Sequence, residues 1–132
     1  MVQAVCKEIE LQQHFFEDPT LVIDTIYFGG GTPSLLPTPD TAHILDTINK
    51  HFTLSPTIEI TLEANPDDIS KEKLSSFKSM GINRLSIGVQ SFVDEDWQLT
   101  QLAEHFVNEM NNKSLVIWST GLPSIWVVSF VD

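Results

Sequence analysis

The stretch Val22-Ile23-Asp24-Thr25-Ile26-Tyr27-Phe28-Gly29-Gly30-Gly31-Thr32 decides how this chain folds. Its first part is rich in β-branched and aromatic side chains, which suit a pleated, half-buried surface, and it reads as a strand. Three consecutive glycines then end it. Without a Cβ, the backbone at these positions can turn in ways closed to other residues and can approach a neighbour closely.

The same pattern recurs on either side. Upstream, Val2, Val5, Cys6, Ile9 and Phe16 fall at helical spacing and predict an amphipathic helix over 2–16, broken by Asp18-Pro19-Thr20. Downstream, Ile44, Leu45, Ile48 and Phe52 stripe a helix that begins near Pro39-Asp40. The run Ile58-Glu59-Ile60-Thr61-Leu62-Glu63-Ala64 predicts the next strand, ending at Asn65-Pro66. A third helix is expected from an N-cap at Ser70 to Met80, with Gly81 at C′. Arg84-Leu85-Ser86-Ile87-Gly88-Val89 predicts a third strand. Asp94 then caps a fourth expected helix, whose apolar face is Leu99, Leu102, Ala103, Phe106, Val107 and Met110. Strands alternating with helices are the signature of parallel pairing, because parallel neighbours need a crossover of a dozen or more residues. The expected class is α/β, with parallel strands and outer helices in one domain.

From Asn111 the pattern is less regular. Leu115-Val116-Ile117-Trp118 is a candidate strand, and Ile125-Trp126-Val127-Val128-Ser129-Phe130-Val131 is a strongly apolar β-like run. An apolar run so close to the last residue reads as a truncated or frame-shifted tail, and its uncovered edge as a surface for self-association.

Composition narrows the partners. The chain has 132 residues, with 18 acidic against 7 basic ones and a formal charge of −11. Such a balance argues against nucleic acid, whose phosphates need clustered Lys and Arg. No window approaches the roughly 20 apolar residues of a membrane span, and no secretory signal is visible. The single cysteine, Cys6, excludes an intramolecular disulfide and fits a reducing compartment, so a cytoplasmic location is expected.

Three features occupy equivalent places in this rhythm. Gly29-Gly30-Gly31-Thr32 follows the first strand, Glu63 closes the second, and Gln90-Ser91 follows the third. In parallel α/β folds the C-terminal strand ends share one face, where ligands bind, so these residues are expected to converge on one site. The competing interpretation of the glycines is a tight turn. A phosphate loop is disfavoured, since the Lys-Ser/Thr ending of such a motif is missing. Glu63 sits in an otherwise apolar strand end, where an unpaired carboxylate is costly. It is expected to hold a cation, an amine or ribose hydroxyls, or else to form a rim salt bridge. Glu59, nearer the strand's start and expected to face solvent, is the better candidate for that rim salt bridge. Gln90 either reads a polar ligand edge or caps the loop. Cys6 reads as a small buried apolar side chain. His14, His43, His51 and His105 show no metal-ligand spacing, and no Ser-His-Asp arrangement is recognisable.

Ile26-Tyr27-Phe28-Gly29-Gly30-Gly31-Thr32-Pro33-Ser34-Leu35-Leu36, then Glu63-Ala64-Asn65-Pro66, then Gly81-Ile82-Asn83-Arg84-Leu85-Ser86-Ile87-Gly88-Val89-Gln90-Ser91-Phe92 stand in this order. Together they resemble the ends of the second, third and fourth strands in radical S-adenosylmethionine (SAM) proteins of the oxygen-independent coproporphyrinogen III oxidase and haem chaperone family. The resemblance covers about residues 1–96 and implies a partial (β/α) barrel of radical SAM type there, with 97–132 a divergent or truncated segment of the same domain. It implies SAM bound beside a [4Fe-4S] cluster, with Gly30, Gly31 and Thr32 contacting SAM and Glu63 and Gln90 adding polar contacts. It further implies porphyrinogen or haem as the partner. In the family, an electron from the cluster splits SAM into methionine and the 5′-deoxyadenosyl radical. One branch uses the radical to decarboxylate propionate side chains oxidatively; the other binds haem.

The family's Cys-x-x-x-Cys-x-x-Cys loop is missing from this sequence, and Cys6 lies on another element. The chain is therefore expected to be an internal piece of such a protein, inactive by itself. A non-catalytic haem chaperone, or a small-ligand-binding or scaffold fragment, is the alternative. A phosphate-binding barrel enzyme would need a basic residue near Gly31, and Arg84 opens its strand at the opposite end.

Overall fold

The computed structural model describes residues 1–15, 18, 20–65, 68–87, 114–119 and 126–131. Helix α1 spans Val2–Gln12, strand β1 Val22–Phe28, helix α2 Thr38–His51, strand β2 Thr53–Ala64, helix α3 Lys71–Ser79 and strand β3 Arg84–Ile87. Two further strands follow, β4 at Ser114–Ser119 and β5 at Trp126–Val131. They form one sheet in the order β1-β2-β3-β5-β4.

β1, β2 and β3 are parallel, as the alternation with helices predicts. β5 runs antiparallel to both β3 and β4. Six residues separate β4 from β5 (120 to 125), far short of a parallel crossover, so an antiparallel pairing is the available one. The parallel core expected from sequence is thus extended by an antiparallel pair. The expected fourth helix, with Phe16, Gly88 and Val89, lies outside the described residues.

β2 is longer than its apolar run. It begins at Thr53, whose partner is Val22, and the register with β1 slips between Ile23 and Thr25. Ile23 faces Leu54 whereas Thr25 faces Glu59, so the irregularity takes up the segment around Pro56. Proline cannot donate to a ladder and is tolerated at such interruptions.

Alternation along the strands sorts the side chains to two faces. Ile26 and Phe28 of β1, Ile58, Ile60, Leu62 and Ala64 of β2, and Leu85 and Ile87 of β3 meet Leu45 of α2 and Leu74 and Phe77 of α3 in the core. Leu62, Phe77 and Ile82 are essentially without exposure. The other face carries Tyr27, Glu59, Thr61, Glu63, Arg84 and Ser86.

The helix termini follow their local chemistry. The Ser70 hydroxyl accepts from the Lys73 N–H at 3.2 Å, capping α3. At its other end Gly81 has φ +91°, its N–H donates to Lys78 O at 2.9 Å, and the Ile82 N–H donates to Phe77 O at 3.0 Å. That pair of bonds is a Schellman motif, and it turns Ile82 back onto Phe77 inside the core. α2 has prolines at its start, Asp40 in its first turn and Lys50 and His51 in its last, matching the helix dipole. Cys6 is buried on α1. Among the described residues no helix is long and apolar enough to cross a membrane.

Candidate functional site

The C-terminal ends of β1 and β2 lie side by side, since Phe28 pairs with Leu62. Glu63 therefore projects on the polar face immediately beside the glycine run. Its Oε2 accepts the Gly30 N–H at 3.0 Å, and its Oε1 accepts the Tyr27 hydroxyl at 2.6 Å. Of the roles considered for Glu63, no rim salt bridge forms among the described residues. Both carboxylate oxygens are held by neutral donors.

The three glycines answer to different constraints. A Cβ on Gly29 would stand 2.5 Å from Tyr27 Cε1 and 3.4 Å from the Glu63 carboxyl carbon, so this position needs glycine for close approach. Gly30 and Gly31 have φ of +85° and +65°, the left-handed region that disfavours a side chain. No described atom lies within 4 Å of a Cβ placed on either. Beside the carboxylate, the loop therefore presents bare backbone with no described atom over it.

Thr32 follows at φ −137° and precedes the 3-10 turn Pro33–Leu35. Asn65 Nδ2 lies 3.5 Å from the Thr32 hydroxyl and donates to Asp68 Oδ2 at 3.2 Å. Lys73 of α3 reaches back, its ammonium donating to Ser34 O at 2.8 Å and Asp68 O at 3.0 Å. The loops after β1 and β2 are thus tied together beneath the glycines, and Ser34 is fully buried in the tie.

Further down the same face Arg84 donates to Glu59 Oε1 at 2.7 Å. Glu59 is thus ion-paired across β2 and β3, and Arg84 is committed to it at the strand end away from Gly31. The Tyr27 hydroxyl is held above the ordinary phenol range, first by its hydrogen bond to Glu63 and next by burial; the Ser86 hydroxyl opposes this. Gln90 lies outside the described residues, so the structure brings together Gly30, Gly31, Thr32 and Glu63 of the expected set. Sequence reasoning missed Tyr27, Asn65 and Lys73. For Tyr27 a signal existed: it shares the strand-face parity of Glu63 and sits two residues before the glycines. Among the described residues no His, Cys, Asp or Glu cluster suits a metal ion.

The fold and the sequence together place the chain in a class. The family model described as the radical SAM superfamily matches residues 10–121, and the chain belongs to that superfamily. Among curated proteins it is similar to the haem chaperone HemW of Synechocystis, 42% identical over 93 residues, which cover 70% of this chain and 22% of that protein. The Escherichia coli haem chaperone HemW is 44% identical over 73 residues, covering 55% of this chain and 19% of that one. A bovine mitochondrial protein, radical S-adenosyl methionine domain-containing protein 1, is 39% identical over 94 residues, covering 71% and 21%. Among solved structures, Escherichia coli coproporphyrinogen III oxidase (HemN), a radical SAM enzyme, matches with a TM-score of 0.73 at 24% identity. That match covers 82% of this chain and 27% of the oxidase, and it establishes the fold. The chain spans about a fifth of the length of the curated relatives it matches.

The intact family works with SAM and a [4Fe-4S] cluster. The residues here fit SAM: left-handed glycines with no described atom over them stand beside a fixed carboxylate that can accept from an ammonium or hydroxyls. They do not fit the cluster, which is held by cysteine thiolates, whereas this sequence has one cysteine, buried on α1.

Proposed function

We propose that this chain forms part of the SAM pocket of a tetrapyrrole-handling radical SAM protein, with Gly30, Gly31, Thr32 and Glu63 as SAM contacts and Gln90 completing the set. The carrying observation is the Glu63 carboxylate fixed on Gly30 N beside two glycines that no described atom covers. The names of the relatives at about 40% identity favour the haem chaperone branch over the oxidase branch, with haem as the partner of the whole protein. In this reading residues 1–96 supply barrel core and 97–132 a divergent segment of the same domain. The protein works in the cytoplasm.

The glycine backbone and Glu63 orient the ligand, and the chemistry of the cluster would be supplied by residues other than those of this chain. With no cluster to anchor the methionine end, SAM is expected to bind this chain weakly, near 1 mM, or about −4 kcal/mol. Titration of SAM into 15N-labelled protein should shift the amide signals of Gly30, Gly31, Thr32 and Glu63 together and saturably. Scattered or absent shifts well above that concentration would overturn the SAM assignment. For the branch, residues 10–87 exchanged into the Synechocystis haem chaperone should leave its haem Soret band and SAM affinity intact. Loss of haem binding with SAM affinity retained would count against the tetrapyrrole assignment.

A further inference from the structure

The Tyr27 ring is exposed, at 60% of its full surface, yet its hydroxyl is engaged at 2.6 Å by a residue 36 positions away. An exposed tyrosine on a strand gains little from being held so. The benefit falls on Glu63. A carboxylate on one donor can swing about its terminal bond, whose torsion is soft. Here Tyr27 Oη holds Oε1 and Gly30 N holds Oε2, so both oxygens are fixed and the carboxylate plane is set. Each oxygen keeps acceptor capacity for a further donor. Gly29 is part of the same device, because any side chain there would strike the Tyr27 ring.

Resting on the SAM assignment above, we propose that Tyr27 is a positioning residue: it locks the Glu63 carboxylate beside Gly30 and Gly31 so that a ligand's ammonium meets an anion already in place. Fixing the acceptor beforehand removes an ordering cost from binding. The groups facing the phenol are Glu63 of β2 and Ser86 and Arg84 of β3, with Arg84 itself paired to Glu59.

Tyr27 is the sole tyrosine of the sequence, so tyrosinate absorbance reports this hydroxyl alone. In the free protein it should ionise above the usual phenol range, and Glu63→Gln should bring it down, since the acceptor loses its charge. Tyr27→Phe keeps the ring over Gly29 and removes the lock. It should weaken SAM binding by roughly five- to tenfold, the scale of one charge-assisted hydrogen bond partly replaced by water, with the thermal midpoint at neutral pH little changed. If SAM shifts the Gly30 and Gly31 signals equally well in Tyr27→Phe, the positioning role is wrong and the SAM assignment stands. If SAM leaves those signals unmoved in the parent protein, both fail. A Tyr27 ionisation unaffected by Glu63→Gln would refute the lock itself.

Discussion

At Gly31 two explanations of one residue come apart. Its φ of +65° alone explains a glycine, and the absence of any described atom over it suits a ligand. A β-branched side chain in the left-handed region is strained, so Gly31→Val should cost about 1–2 kcal/mol of stability. Asparagine visits this region far more readily, so Gly31→Asn should recover most of that loss. No described atom lies within 4 Å of a Cβ added at Gly31, so backbone strain sets the cost of the substitution among the described residues. If the space belongs to SAM, Gly31→Asn should fold near parental stability and still lose binding. Thermal denaturation paired with SAM titration checks this, and retained binding in Gly31→Asn would reduce the glycine to a turn residue. The strand rhythm puts the whole run Gly29-Gly30-Gly31 at the site and the family resemblance singles out Gly30 and Gly31; Gly29 is the one that the Tyr27 ring demands.

At the level of elements, the junction of α3 and β3 is held by a side chain acting as backbone. Asn83 Oδ1 accepts the Ile60 N–H at 2.8 Å, its Nδ2 donates to Ile58 O at 2.8 Å, and its own N–H donates to Ile60 O at 3.1 Å. The β2–β3 ladder thereby extends one residue below Arg84 and fixes the register that faces Glu63 with Ser86. Asn83→Ala leaves one donor and one acceptor of β2 without this partner, and about 1–3 kcal/mol of stability should go with them. Urea denaturation measures this; a loss within a few tenths would show that water replaces the amide. The helices and strands up to Ile87 were legible because each carries its own periodicity and stop residues, Gly81 among them. The clamp by Asn83 was not, since its partners lie 23 and 25 positions away in sequence. The early start of β2 was hidden too, because Pro56 reads locally as a breaker and only pairing with Val22 and Ile23 makes a strand of Thr53 and Leu54.

For the molecule as a whole, two forces oppose each other. Among the described strands β1 and β4 end the sheet, each paired on one side. Free strand edges template pairing with another copy. The net charge of −11 repels such a copy, and salt screens that repulsion over a Debye length of about 8 Å at physiological strength. Self-association is therefore expected, and it should increase from low to physiological salt. Sedimentation velocity at both ionic strengths is the measurement; a single monomer boundary at each would show the edges to be protected.

By itself the sequence determined the α/β class, the parallel order of the first three strands and the gathering of Gly30, Gly31, Thr32 and Glu63 at their C-terminal ends. It did so because strand alternation, crossover length and glycine punctuation are local properties of the chain. Its single cysteine likewise ruled out a cluster held by this chain alone. Only the tertiary structure decided what Glu63 touches, that Tyr27 locks it, and that β5 closes antiparallel on β3. Those outcomes rest on which strands become neighbours and in what register, and a hydrogen bond across 36 residues leaves no periodic trace in either partner's own segment.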